Sequence, residues 1–102
     1  MAAGPPTLIE WDGVTIAITY DPKWLEIDGP LQSAHIELRV SHPSGAKLPV
    51  TDTGYRSHFC SKADIEAAGG PEPFVKLWLD EEAKRPEWKR VEEKERQLDL
   101  FN

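Results

Sequence analysis

A single cysteine, Cys60, stands in 102 residues, so no internal disulfide forms and the fold must rest on non-covalent packing. No apolar run approaches the roughly 18 to 20 residues that cross a bilayer as a helix. The start, Met1-Ala2-Ala3-Gly4-Pro5-Pro6, lacks a basic residue followed by an apolar stretch. It therefore reads as a flexible leader over residues 1–6, not as a secretory signal, and the expected location is cytoplasmic. Positive charge is also short: 12 Lys and Arg stand against 18 Asp and Glu, a formal net charge of -6. Binding to a phosphate backbone needs clustered bases, so direct nucleic-acid binding by the body is not expected. The acids are interleaved with bases, which argues equally against a one-sided acidic face that mimics DNA. Gly69-Gly70-Pro71 lacks a following Lys-Ser or Lys-Thr and a preceding strand, so no phosphate loop is present.

Bulky core formers are plentiful: four tryptophans, three phenylalanines and two tyrosines, enough for one hydrophobic core in a chain of this length. Leu8 to Trp11 and Val14 to Tyr20 read as strands around the turn-forming pair Asp12-Gly13. In the second, Val14, Ile16, Ile18 and Tyr20 share one face at a period of two. Asp21-Pro22 breaks the run, and Lys23 to Ser33 is a loop whose Trp24, Leu25, Ile27 and Leu31 are expected to fold over one end of the core. From His35 to Ser41, Ile36, Leu38 and Val40 point inward and His35, Glu37 and Arg39 outward. A short edge strand is expected at Lys47 to Val50, where Pro49 cannot donate to a ladder. From Tyr55 to Cys60, Tyr55, Ser57 and Phe59 oppose Arg56, His58 and Cys60.

After Phe59 the period lengthens. Ser61-Lys62-Ala63-Asp64 resembles a capping box and opens a short helix that stops at Gly69-Gly70. Pro71 to Lys84 is a second helix whose Phe74, Val75, Leu77, Trp78 and Leu79 form a broad arc suited to a sheet. Pro86 suits the first turn of a third helix, ending near Gln97. The fold class is α+β: an antiparallel sheet of four to five strands, followed by two to three C-terminal helices packed on one face. Residues 7–91 form a single domain, and 92–102 a charged helical stalk and tail.

Chemistry-bearing groups are sparse. His58 and Cys60 share a strand face, but one cysteine and the spacing of His35 and His42 do not build a zinc site. Strand neighbours two apart also lie too far from each other for a Cys–His nucleophile. His35, Glu37 and Arg39, with Arg56 and His58 on a nearby strand, form a candidate polar patch for an anion or a protein. Cross-strand ion pairing on a wet face is the alternative. The carboxylates of Asp80-Glu81-Glu82 and Glu92-Glu93 read as solvated helix faces. No catalytic group, cofactor or metal is expected, and the chain does not read as an enzyme.

The sharpest feature is the end, Gln97-Leu98-Asp99-Leu100-Phe101-Asn102. Three large apolar side chains follow Glu92-Glu93-Lys94-Glu95-Arg96, a helical stretch with no apolar stripe to hold them against the domain. Gln97-Leu98-Asp99-Leu100-Phe101 resembles the pentapeptide by which bacterial proteins bind the β sliding clamp. That resemblance implies that Leu100 and Phe101 fill an apolar pocket on the clamp, that Gln97 hydrogen-bonds at a neighbouring subsite, and that Leu98 and Asp99 support them. It implies an adapter or accessory protein in DNA replication or repair, acting by tethering. The alternative is a small interaction or regulatory module, of the kind mobile elements carry, whose tail docks on its own core. Leu48-Pro49-Val50-Thr51-Asp52-Thr53-Gly54-Tyr55-Arg56-Ser57-His58-Phe59 is similar to a stretch in small uncharacterised bacterial proteins, which implies a bacterial origin and adds no activity. The partner of the folded body is left open.

Overall fold

The computed structural model of the protein describes residues 5–22 and 33–100, with the backbone alone at 98–100. The expected loop residues Trp24, Leu25, Ile27 and Leu31, and the beginning of the leader, lie outside the described residues. Strands β1 (Thr7–Trp11) and β2 (Val14–Asp21) form an antiparallel hairpin. Its turn residues have positive φ, 50° at Asp12 and 80° at Gly13. Two positive φ values define the primed turn whose twist matches that of the flanking strands. Strands β3 (Ser33–His42) and β4 (Tyr55–Ser61) complete a four-stranded sheet in the order β1-β2-β3-β4, each neighbour antiparallel.

The edge strand expected at Lys47 to Val50 is absent. Leu48 and Thr51 instead exchange both backbone hydrogen bonds, at 2.8 and 3.1 Å, across a tight turn. Pro49 follows Leu48 there because its fixed φ suits the first corner of a turn. The same residue that limits a strand here makes a reversal. Leu48 stays buried at 3% exposure.

Helix α1 (Lys62–Ala68) starts where expected: the Ser61 hydroxyl accepts from the Ala63 amide at 3.1 Å, satisfying one free donor of the first turn. Gly69, at φ 103°, closes it in the left-handed region. Helices α2 (Pro71–Glu82) and α3 (Pro86–Leu100) follow. Both begin on proline, whose missing N–H costs nothing in a first turn. The third helix runs beyond the expected end at Gln97.

The helices cover one face of the sheet. Ile16, Ile18, Ile36 and Leu38 meet Ile65, Val75 and Leu79, all fully or almost fully buried. Val75 and Leu79 lie one turn apart on the face turned to the strands, flanked by the half-buried pair Phe74 and Trp78. Leu77 does not join them. It sits about 200° round the helix from Val75 and is 55% exposed. Trp11 Nε1 donates to Asp80 Oδ1 at 2.8 Å, fastening β1 to α2. Trp88, 8% exposed, anchors the start of α3 by packing 6.1 Å from the Trp11 ring.

Replacing Leu79 by alanine should cost about 2–5 kcal/mol of unfolding free energy, the usual range for a buried leucine. Leu77→Ala should stay within about 0.5 kcal/mol. Equilibrium urea unfolding of both variants checks the assignment, and equal losses would contradict the packing described.

Candidate functional site

The phase of the β3–β4 ladder decides which side chains meet. The Val40 amide donates to the Gly54 carbonyl at 2.8 Å, one step beyond the Arg39–Tyr55 pair. Backbone bonds recur at every second pair, so Leu38–Arg56 and Ile36–His58 carry the ladder. Glu37–Ser57 and His35–Phe59 are the close pairs between them, with the β4 amides pointing away from β3. The Tyr55 carbonyl fits this phase: it accepts from the Thr51 and Thr53 hydroxyls, at 2.8 and 3.4 Å, and not from β3.

On the sheet face opposite the helices, three polar groups converge. His35 Nε2 lies 2.6 Å from the Ser57 hydroxyl, and His35 Nδ1 lies 3.8 Å from Glu37 Oε1. The Glu37 carboxylate near Nδ1 favours the tautomer with the ring proton on that side. In that tautomer the Ser57 hydroxyl donates to Nε2. His35 is only 6% exposed, whereas Ser57 is exposed and Glu37 half-buried. The Phe59 ring packs on the imidazole at 4.5 Å. One step along, the Arg39 guanidinium sits 4.7 Å over the Tyr55 ring, a cation–π contact.

The expected polar patch of His35, Glu37, Arg39, Arg56 and His58 is therefore divided between two faces. The strands are neighbours, as the patch required, but register pairs Arg56 with Leu38 and His58 with Ile36. Those positions face the helices. His35 is not a wet outward residue but a buried one. On the helix side, the His58 ring lies 4.4 Å from Trp78 and 6.3 Å from Phe74, and Arg56 sits 5.7 Å over Trp78. Burial above all, then the positive charge of Arg56 and the nearby His35, pull the His58 pKa below the ordinary imidazole value. Cys60 goes the other way: burial, then Asp64, push its thiol up, away from the thiolate a nucleophile needs. Among the described residues no three His, Cys, Asp or Glu side chains gather as a metal site would require.

Two further features flank the body. A groove of about 320 Å³ lies between the 48–52 turn and the α2–α3 elbow, floored by Leu48, Pro49, Val50, Trp88 and Val91. Arg85 on its rim is tied to Glu82 at 2.5 Å and Glu87 at 3.5 Å. The other feature is α3 itself, exposed from Glu93 to Gln97. Of the expected partner-binding residues, Gln97 is thus accessible on the helix. The side chains of Leu98, Asp99 and Leu100, and all of Phe101, lie outside the described residues.

A family model described as KlcB third domain matches residues 6–88, more than half of the chain. The chain belongs to the KlcB third-domain family. The matched region takes in all four strands, α1, α2 and the beginning of α3 as far as Trp88, the residue that fixes that helix to β1. No curated protein and no solved structure matches the chain.

Sequence reasoning missed the pairing of Ser57 with His35. The signal was present, since His35 and Glu37 share one strand face and Ser57 and Phe59 another. Only the register makes those two faces the same one.

The depressed His58 pKa has a consequence for stability. The unfolded chain takes up this proton near pH 6.5, whereas the folded chain does so only at lower pH. The unfolded state thus binds more protons in that window, and stability falls as pH drops below about 6.5. His58→Gln should show a shallower loss of urea resistance than the parent between about pH 7.5 and 5.5. An unchanged slope would exclude His58 as the source.

Proposed function

We propose that the protein is an adapter, with the folded body as a protein-interaction module and Gln97–Phe101 as a peptide that engages the bacterial β sliding clamp. The observation that carries this reading is the course of α3. From Trp88 to Leu100 the helix extends about 18 Å at 1.5 Å per residue, and residues 93–97 are exposed. A groove of about 350 Å³ is lined by Trp88, Glu92 and Arg96 on this helix together with Asp12 and Gly13 in the β1–β2 turn. Such a helix suits a spacer that presents its end to a partner.

The family name supports the modular half of the reading, since a third domain is one unit within a longer protein. The match ends at Trp88, so the exposed part of α3 and the pentapeptide lie outside the matched residues. That same limit favours a second reading, in which the body alone acts as a regulatory module and the tail is structural.

Magnitudes suit reversible capture. Burying Leu100 and Phe101 contributes about 1.5–3 kcal/mol each, and a hydrogen bond to Gln97 about 1 kcal/mol. Ordering the segment opposes this by several kcal/mol, which leaves a Kd on the order of micromolar or weaker. Tethering works through effective concentration, so weak attachment to a ring on DNA is sufficient.

Titration of purified β clamp with the full chain should give saturable binding, reduced by about tenfold or more in the Leu100→Ala/Phe101→Ala variant. Equal binding by both proteins, or none by either, would reject clamp attachment and leave the modular reading.

A further inference from the structure

We propose that Ser57 is a nucleophile activated by His35, with Glu37 as the positioning residue, and that the exposed surface around Ser57 accepts an acyl group from a small activated ester or thioester. The inference goes beyond the adapter reading and does not rest on it. Its basis is the side-chain row on β3 and β4. Ser57 Oγ lies 2.6 Å from His35 Nε2, within the reach a general base needs to take a hydroxyl proton. Glu37 Oε1, 3.8 Å from Nδ1, favours the tautomer in which Nε2 accepts from Ser57. It also opposes the positive charge that appears when the proton arrives. The 3.8 Å separation is an ion-pair distance, and contacts of this kind in an unliganded site are commonly loose.

The surroundings fit the chemistry. His35 is 6% exposed while Ser57 is open to solvent, so the base is shielded and the nucleophile accessible. The Ser57 amide points away from β3, beside its own hydroxyl. There it can donate to the oxyanion of a tetrahedral intermediate. Tyr55 and Phe59 stand two residues to either side on the same strand face, about 6.5–7 Å away along the chain. They are 38% and 55% exposed, and their solvent-facing parts give apolar surface beside Ser57.

The reaction balances without any further reagent. Ser57 Oγ bonds to the acyl carbon as its proton passes to His35 Nε2. The bond from the acyl carbon to the leaving oxygen or sulfur then breaks, and the leaving group takes that proton. Water repeats the sequence in reverse on the acyl-serine, releasing a carboxylic acid and restoring Ser57.

The full chain incubated with p-nitrophenyl acetate should release nitrophenolate and carry one acetyl group on Ser57, located by peptide mass mapping. A fluorophosphonate probe should label the same residue. Ser57→Ala, a change at an exposed position, should abolish both adducts with an unchanged circular dichroism spectrum. His35→Gln should slow acylation by about 10²-fold or more, the usual contribution of a general base. Should His35→Gln fail to fold, Glu37→Gln serves instead: it should lower the acylation rate while leaving the half-saturating ester concentration unchanged, and Glu37→Asp should recover part of the rate. No adduct on Ser57, an adduct confined to other residues, or undiminished labelling in the folded His35 or Glu37 variants would overturn the proposal.

Discussion

Antiparallel register between β3 and β4, with the described helices layered on one face, is the constraint from which the rest follows. Side chains alternate along both strands, and the helices claim the set that contains Ile36, Leu38 and Ala34. Once Val75 and Leu79 are seated on that face, a slip of one residue would expose the core and bury Glu37 and Arg39. The hydrophobic effect therefore sets the register. The register in turn places Ser57 beside Glu37 and within reach of His35. Polar geometry on the face opposite the helices is a by-product of apolar packing beneath them.

The two faces give the two histidines of this strand pair opposite surroundings. His58 lies under α2 among Trp78 and Phe74, where burial and then Arg56 lower its pKa. His35 is buried too, but with a hydroxyl on one ring nitrogen and a carboxylate near the other. Both rings pack on aromatic neighbours, so what sets His35 apart is the Ser57 hydroxyl and the Glu37 carboxylate beside it. The elements around the strands have separate tasks: the Ser61 and Gly69 caps bound α1, the Trp11–Asp80 bond ties β1 to α2, and Trp88 fastens the root of α3.

Much of the architecture was legible because its signals are local. Period-two alternation marked the strands, Asp12-Gly13 the hairpin turn, Ser61 and Gly69 the ends of α1, and Pro86 the start of α3. The errors came where one local signal admits two structures. Pro49 next to Leu48 fits an edge strand or a reversal, and the exchange of hydrogen bonds with Thr51 selects the reversal. Leu77 belongs to an apolar run, yet a helix 3.6 residues per turn carries it away from Val75 and Leu79. The candidate patch failed for a different reason. Arg56 and His58 were grouped with His35, Glu37 and Arg39 by strand proximity, and parity across a strand pair cannot be read from either strand alone.

Composition and periodicity by themselves determined the class, an α+β domain without disulfides, and the order of its elements, because turns, caps and amphipathic faces are written in neighbouring residues. The apolar and acidic character of Gln97–Phe101 is likewise a property of the chain. Tertiary structure alone decided that His35 is buried, that Ser57 is its partner, and that Arg56 and His58 lie on the far side of the sheet. Those facts depend on pairing residues about 22 positions apart in one register. That register is chosen by the burial of side chains elsewhere in the molecule.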